Sequence, residues 1–343
     1  MRPRIYITQP VAAGALERLR RVADVEINPD TLHKVTKAEL LERMPQLDIL
    51  FCLLHDRVDR DLIAAGTRLR VIASMKITPT DIDIAAANAR RIPVTVVPPV
   101  VTEATADIHF ALLLAVARRV VEGDRLVRAG IFPGAQSAHL VGAAVHGKVI
   151  GLIGGGGRIG KAVAKRAQGF SMRTLYWTPR RKPEAEEREA GLIYASYDQL
   201  LAESDFVSVH APFTAETRHL VGERELGLMK PTAFLVNTAR GPIVDEEALA
   251  RALAEHRIAG AGLDVFENEP TVHPALLGMT NVVLTPHLGS AVSETREMMA
   301  NVVVDNIMAV LDGRQPPNCW NREIYGGPQA AQVTDFLKGE EKR

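Results

Sequence analysis

Val149-Ile150-Gly151-Leu152-Ile153 runs directly into Gly154-Gly155-Gly156-Gly157-Arg158-Ile159-Gly160, and an amphipathic pattern from Lys161 to Gln168 follows. An apolar run, a glycine turn and a helix start in that order form a strand-turn-helix unit. Within it Gly155, Gly157 and Gly160, with Arg158 and Ile159 between them, have the spacing of a dinucleotide-binding turn. Glycines without Cβ atoms let such a turn close tightly and let backbone approach a pyrophosphate, whose charge is met by free N–H groups at the helix N-terminus. Glycine-rich turns alone are common; the strand before and the helix after make this one a fingerprint.

Working outward, short apolar runs at 173–177, 205–210, 233–236, 259–265 and 282–285 are each followed by a loop or helix signal. Upstream, runs at 5–7, 49–53, 71–73 and 94–97 alternate with helical patterns at 12–21, 59–65 and 82–89. Such alternation predicts parallel sheets with helices on their faces. Pro98-Pro99 ends the first series, and a helix-patterned segment from Thr102 through Val121 opens the second part of the chain. A further long helix is expected from Ser293 to Leu311, with a polar tail from Pro316 returning to pack on the first domain. The predicted fold is α/β, with two Rossmann-like or flavodoxin-like domains, each with a doubly wound parallel sheet. Residues 1–99 and 288–343 form a discontinuous substrate-binding domain, and the dinucleotide-binding domain, 100–287, is inserted into it with a cleft between them.

Composition narrows the class. Basic and acidic residues number 41 each, so the formal charge is zero and neither nucleic acid nor an anionic membrane surface is an expected partner. A chain of 343 residues with 47% hydrophobic content suffices for two cores. Cys52 and Cys319 stand among apolar residues and read as buried thiols of a reducing compartment. The N-terminus enters a strand pattern without a signal-peptide core, and the longest apolar stretch, 110–117, is too short to cross a bilayer. The expected location is cytoplasmic.

Three later strand ends carry the chemistry. Asn237-Thr238-Ala239-Arg240-Gly241 places a guanidinium at the carboxyl edge of the sheet, where it can grip a carboxylate at two points. Leu263-Asp264-Val265-Phe266-Glu267-Asn268-Glu269-Pro270 supplies acids, and Thr285-Pro286-His287-Leu288-Gly289-Ser290 a histidine. A carboxylate beside an imidazole favours its protonated form, which can act as a general acid. Taken singly, Arg240 fits a surface ion pair, Glu269 a solvated turn acid and His287 a loop histidine; together at successive strand ends they suit hydride transfer to a 2-oxo acid. His55, His109, His139, His146, His210, His219 and His273 lack such a setting and have no expected catalytic part. At the end of the second strand, Thr178-Pro179-Arg180-Arg181 stands where an NAD-selective site carries an acid. Thr178 does not repel a 2′-phosphate, and Arg180 or Arg181 can pair with one, so NADP is the expected cofactor and NAD the alternative. His210, Pro212, Thr217, Thr238, Asp264 and His287 complete the expected dinucleotide contacts.

These segments, with Thr102-Glu103-Ala104-Thr105-Ala106-Asp107, resemble the D-isomer-specific 2-hydroxyacid dehydrogenase family, most closely its glyoxylate and hydroxypyruvate reductases. The resemblance extends from the first strand to about Asn321. It implies substrate gripping by Arg240, a proton-donor pair of His287 with Glu269, and Asp264 anchoring an amide near the nicotinamide. It also implies a substrate loop at Lys76-Ile77-Thr78, and a homodimer held through the nucleotide domain, including the helix after Pro99. No metal is needed. The family's usual Gly-x-Gly follows its strand directly, whereas Gly154 adds a residue, leaving the register open by one. Its Gly followed by Asp-Asn in the substrate loop is replaced by Ser74-Met75-Lys76-Ile77-Thr78-Pro79-Thr80-Asp81, and its tryptophan-rich segment by Phe132-Pro133-Gly134 and the small residues at 141–145. Lys76 either contacts a compact anionic substrate or pairs with Asp81 or Glu103. Two other functions share the residue set: oxidation of a small anion such as phosphite, and dinucleotide sensing by a binding protein.

Overall fold

The computed structural model describes residues 2–54 and 56–326; His55 and the tail segment 327–343 lie outside them. The chain divides into two compact units, one running to Val100 and resuming at Val292, the other Val101–Ala291.

The first unit holds β1 (Arg4–Ile7), β2 (Asp24–Ile27), β3 (Ile49–Cys52), β4 (Val71–Ser74) and β5 (Val94–Thr95) in the order β2-β1-β3-β4-β5, all parallel. β3 and β4 are buried along their whole length, as continuous apolar runs in a parallel sheet covered on both faces must be. Helix Ser293–Leu311 returns to this unit and packs on helix Ala13–Val22 and on β4. The chain then runs along β5: Cys319 bridges Thr95, and the buried Asn321 accepts from Val94 N at 2.7 Å and donates to Ile92 O at 2.9 Å. Cys52 and Cys319 are free buried thiols, and burial pushes both up to about 12. Among the described residues no helix is long and apolar enough to cross a membrane.

The second unit holds β6 (Val149–Ile153), β7 (Arg173–Trp177), β8 (Ile193–Tyr194), β9 (Phe206–Val209), β10 (Phe234–Asn237), β11 (Gly260–Leu263) and β12 (Val282–Leu284). Their order is β12-β11-β10-β9-β6-β7-β8, again all parallel. This is the doubly wound arrangement, and the strand order reverses between β6 and β9, where such sheets bind ligands at their carboxyl edge.

Several details depart from the sequence reading. β2 and β8 were not foreseen: Asp24–Ile27 alternates charged and apolar residues with little burial, and Ile193–Tyr194 is only a pair. Both are edge strands, which proteins keep short or charged. The helix expected to reach Val121 stops at Ala117; Arg119 takes a left-handed conformation (φ 54°) and a second helix, Val120–Arg128, starts there. Helix Lys37–Arg43 was unforeseen although Thr36 and Glu39 form a capping box visible as Thr-x-x-Glu. Residues 288–291 stay with the second unit because Leu288 N and Gly289 N are bound by Asp264.

Candidate active site

The glycine turn follows β6 without a break. Gly154 has φ +80°, and a Cβ there would lie 2.5 Å from Ala211 N at the end of β9. Helix Arg158–Gly169 begins at once, and a Cβ on Gly160 would lie 2.5 Å from Gly155 Cα. Gly154 is thus the inserted residue, and Gly155, Gly157 and Gly160 are the triplet that fits the close packing of turn and helix. No side chain caps the helix at Gly157, which leaves the N–H groups of the first turn available to an anion. Lys182, which the sequence reading passed over, lays its aliphatic chain across the turn, with Cε 2.8 Å from the position of a Cβ on Gly156.

The loop after β7 is organised by a buried acid. Glu187, 5% exposed, accepts from Tyr176 Oη at 2.6 Å and from Arg181 Nε and Nη2 at 2.8 and 2.9 Å. Hydrogen bonds from Arg181 and Tyr176 hold its carboxyl at about 2. Tyr176 Oη also accepts from Lys182 N at 2.9 Å, and burial pushes the phenol up to about 12. Arg181 therefore has its planar fork on Glu187 and anchors the loop, where the sequence had allowed it to be an open phosphate ligand. Arg180 is exposed, and Thr178 Oγ1 donates to its carbonyl at 2.6 Å.

Beyond β9, His210 N donates to Ile153 O at 2.7 Å, which ties this strand end to the glycine turn. Thr217 Oγ1 knits the following loop, accepting from Thr214 N at 2.7 Å and donating to Pro212 O at 2.8 Å. At the end of β10, Thr238 Oγ1 is buried and makes no hydrogen bond among the described residues. A buried polar atom left unpaired at the carboxyl edge of the sheet that also carries the glycine turn suits a dinucleotide.

The catalytic candidates leave three neighbouring strands in one register, Asn237 beside Leu263 and Leu263 beside Leu284. Asn237 shapes the turn that carries Arg240: its Oδ1 accepts from Ala239 N at 3.0 Å and its Nδ2 donates to Arg240 O at 3.1 Å. Gly241 is required because a Cβ would fall 1.9 Å from Phe266 C, so the Arg240 turn rests directly on the chain leaving β11. The Arg240 side chain keeps contact with solvent; desolvation lowers its pKa while Glu269 raises it, and an arginine so placed stays charged at neutral pH. Glu269 Oε1 accepts from Phe266 N at 3.0 Å, and its Oε2 lies 2.9 Å from His287 Nδ1. Nδ1 of the imidazole is thus held by a carboxylate on the neighbouring strand end.

Asp264 is 1% exposed and both its oxygens face the His287 turn. Oδ1 accepts from Thr285 Oγ1 at 2.6 Å and Leu288 N at 2.7 Å, and Oδ2 from Gly289 N at 2.8 Å. His287 itself has φ 56°, and its N–H donates to Asp264 O at 2.9 Å. Thr105 supports the same turn, donating to Gly289 O at 3.1 Å. The family resemblance implies an Asp264 that anchors the cofactor amide; in the structure its carboxylate holds the histidine loop.

Lys76, Ile77 and Thr78 belong to the first unit, in the loop after β4. Lys76 is 7% exposed, and its Nζ lies 2.5 Å from Asp81 Oδ2 and 3.1 Å from Asp56 O. Of the two readings of this lysine, the ion pair with Asp81 is made. Ile77 and Thr78 are partly exposed. Among the remaining histidines, His219 lies 2.7 Å from Glu267 and His273 3.0 Å from Glu247.

Comparison with known proteins places the chain in a family. Residues 110–289 match the D-isomer specific 2-hydroxyacid dehydrogenase, NAD binding domain. A glyoxylate reductase of Thermococcus litoralis is 45% identical over 328 residues, covering 94% of this chain and 98% of its own. One of Aeropyrum pernix is 46% identical over 329 residues, covering 94% and 97%. Among solved structures, a Thermus thermophilus protein superposes with a TM-score of 0.84 at 43% identity, covering 92% of this chain and 99% of its own. An NADPH-dependent glyoxylate/hydroxypyruvate reductase from Sinorhizobium meliloti, solved with NADP and malonate, has a TM-score of 0.73 at 32% identity, covering 93% and 97%. The chain belongs to the D-isomer specific 2-hydroxyacid dehydrogenase family and is an NAD(P)-dependent dehydrogenase.

Proposed function

We propose that this enzyme reduces a small 2-oxo acid of the glyoxylate or hydroxypyruvate type to the D-2-hydroxy acid, with NADPH as the preferred reductant. The observation that carries the reading is the His287 Nδ1 to Glu269 Oε2 contact of 2.9 Å, formed by strand ends next to the one bearing Arg240. The relatives named glyoxylate reductase support the substrate class.

When bound, the nicotinamide supplies the hydride. Gly155, Gly157, Arg158, Ile159 and Gly160 hold the dinucleotide at the turn, with Thr238 and the 210–217 loop beside it. Arg240 pairs with the substrate carboxylate and polarises its carbonyl oxygen. His287 gives the Nε2 proton to that oxygen as negative charge develops, and Glu269 stabilises the imidazolium before transfer and fixes the ring. In the first unit, Lys76, through Asp81, sets the shape of the loop that carries Ile77 and Thr78.

The preference for NADPH rests on the lack of an acid at the end of β7 and on Arg180 and Lys182, the two cations of that loop outside the Arg181–Glu187 pair. The expected homodimer uses the second unit: Val120, Val127, Phe132 and Val141, on and after helix Val120–Arg128, are 55%, 59%, 74% and 64% exposed, an apolar set that a second copy would cover. Initial rates with glyoxylate, hydroxypyruvate, larger 2-oxo acids and, in the reverse sense, phosphite, each with NADPH and NADH, test the proposal. Turnover of phosphite alone, or dinucleotide binding with no turnover, would overturn it.

A further inference from the structure

Beneath the end of β9 lies a polar chain that the catalytic scheme does not use. Ser208 Oγ is 2.6 Å from His109 Nε2 and 2.8 Å from His210 Nε2. His109, on helix Thr102–Ala117, and Ser208 are completely buried, whereas His210 is partly exposed at the carboxyl edge. His109 Nδ1 is buried and has no hydrogen-bond partner among the described residues. The arrangement joins a helix to a strand end across 99 positions of sequence, and that strand end bonds the last residue of β6 through His210 N to Ile153 O and lies against Gly154, where a Cβ would fall 2.7 Å from His210 C.

Burial pushes His210 down to about 3 and His109 well below the ordinary imidazole value, so each ring carries one proton at neutral pH. Ser208 has one hydroxyl proton and must accept from one ring and donate to the other. If His210 Nε2 donates to Ser208, His109 holds its proton on Nδ1, an N–H buried without an acceptor. If His109 Nε2 donates, Nδ1 is a bare acceptor instead. Buried orphan N–H groups are the rarer and costlier defect. In the second arrangement the Ser208 hydroxyl donates to His210 Nε2, and the ring proton of His210 sits on Nδ1.

We propose that His109 is a positioning residue which, through Ser208, fixes His210 as the Nδ1–H tautomer and so presents an N–H donor to an oxygen of the bound dinucleotide, a ribose hydroxyl or a phosphate. His210 Nδ1 makes no hydrogen bond to the described residues, which leaves that donor available to the cofactor. The inference rests on dinucleotide binding at the glycine turn.

The test uses the full-length enzyme labelled with 15N-histidine, with ring nitrogens read by NMR before cofactor is added, and Kd values for NADPH and NADH from fluorescence titration. The parent should show His210 as the Nδ1–H tautomer. His109→Phe, which fills the same core volume without a donor, should release that preference and raise both Kd values about three- to tenfold, the worth of one neutral hydrogen bond. His109→Gln, whose Nε2 can stand in for the imidazole Nε2, should restore the tautomer and the affinity. An Nε2–H tautomer of His210 in the parent, or parental Kd values in the folded Phe variant, would overturn the proposal. Equal losses of affinity and melting temperature in both variants would overturn it too, as marks of a packing role. A parent that binds neither dinucleotide would instead remove the cofactor assignment itself.

Discussion

Asp264→Asn separates two roles for one buried carboxylate. In the structure its oxygens accept three hydrogen bonds, from Thr285 Oγ1, Leu288 N and Gly289 N, on both sides of His287. Asparagine keeps one oxygen and replaces the other by an NH2 group. In its best orientation it retains the first two bonds and sets a donor against the Gly289 N–H. The loss is one charge-assisted hydrogen bond and an unsatisfied donor pair, together about 1.5–3 kcal/mol. Nothing else about the side chain changes, since shape and volume are conserved. The weakened segment carries His287, so the loss should fall on the geometry of proton delivery. If that energy is felt in the transition state, kcat drops roughly ten- to a hundredfold while the Kd for NADPH moves little. Steady-state rates on glyoxylate, a fluorescence titration with NADPH and a melting curve measure the three quantities. Parental kcat in a folded variant would refute the clamp. A weakened NADPH affinity with kcat intact would show that the carboxylate serves the nicotinamide amide instead.

Four further outcomes are expected. Arg240→Gln and His287→Ala should each lose most of kcat/KM on the best 2-oxo acid while still binding NADPH, because neither side chain belongs to the glycine turn; a His287→Ala enzyme at parental rate would sink the general-acid assignment. Glu269→Gln loosens the contact that holds the imidazole, so kcat should fall while the Kd for NADPH stays near the parental value, and a parental kcat would argue against the pair. Arg180→Ala should raise KM for NADPH more than for NADH, whereas Arg181→Gln should lower the melting temperature without that selectivity, since Arg181 is paired with Glu187; the reverse pattern would make Arg181 the phosphate ligand. His210, held at about 3 by burial, and His109 are neutral in the folded enzyme, so their contribution to stability is complete above the unfolded value of 6.5 and is lost as pH falls from there towards 3. Urea titrations from pH 7 to 5 should accordingly show the parent losing stability faster than His109→Phe, and equal slopes would speak against neutral buried rings.

Most of the parallel strands were legible because buried parallel strands are short apolar runs between turn signals, a local pattern. The nucleotide turn was legible for a similar reason, since glycine spacing reports backbone conformation directly. Even so, the inserted glycine stayed ambiguous until Gly154 was seen with φ +80° against the end of β9. Edge strands β2 and β8 and the break at Arg119 escaped notice because their cues are weak: alternating charge, a two-residue strand, a single left-handed residue.

By itself, the sequence determined the two parallel α/β sheets and the dinucleotide fingerprint, and it offered Arg240, Glu269 and His287 as a candidate trio, all within a few residues of a strand end. Tertiary structure alone decided which partner each polar group takes. Arg181 meets Glu187, Lys76 meets Asp81, Asp264 meets the backbone beyond His287, and His109 meets Ser208 on a distant strand. Charge and hydrogen-bonding capacity are written in the residue type, but a buried carboxylate or imidazole is satisfied by whichever donor the packed chain brings within about 3 Å, and that distance depends on the whole fold.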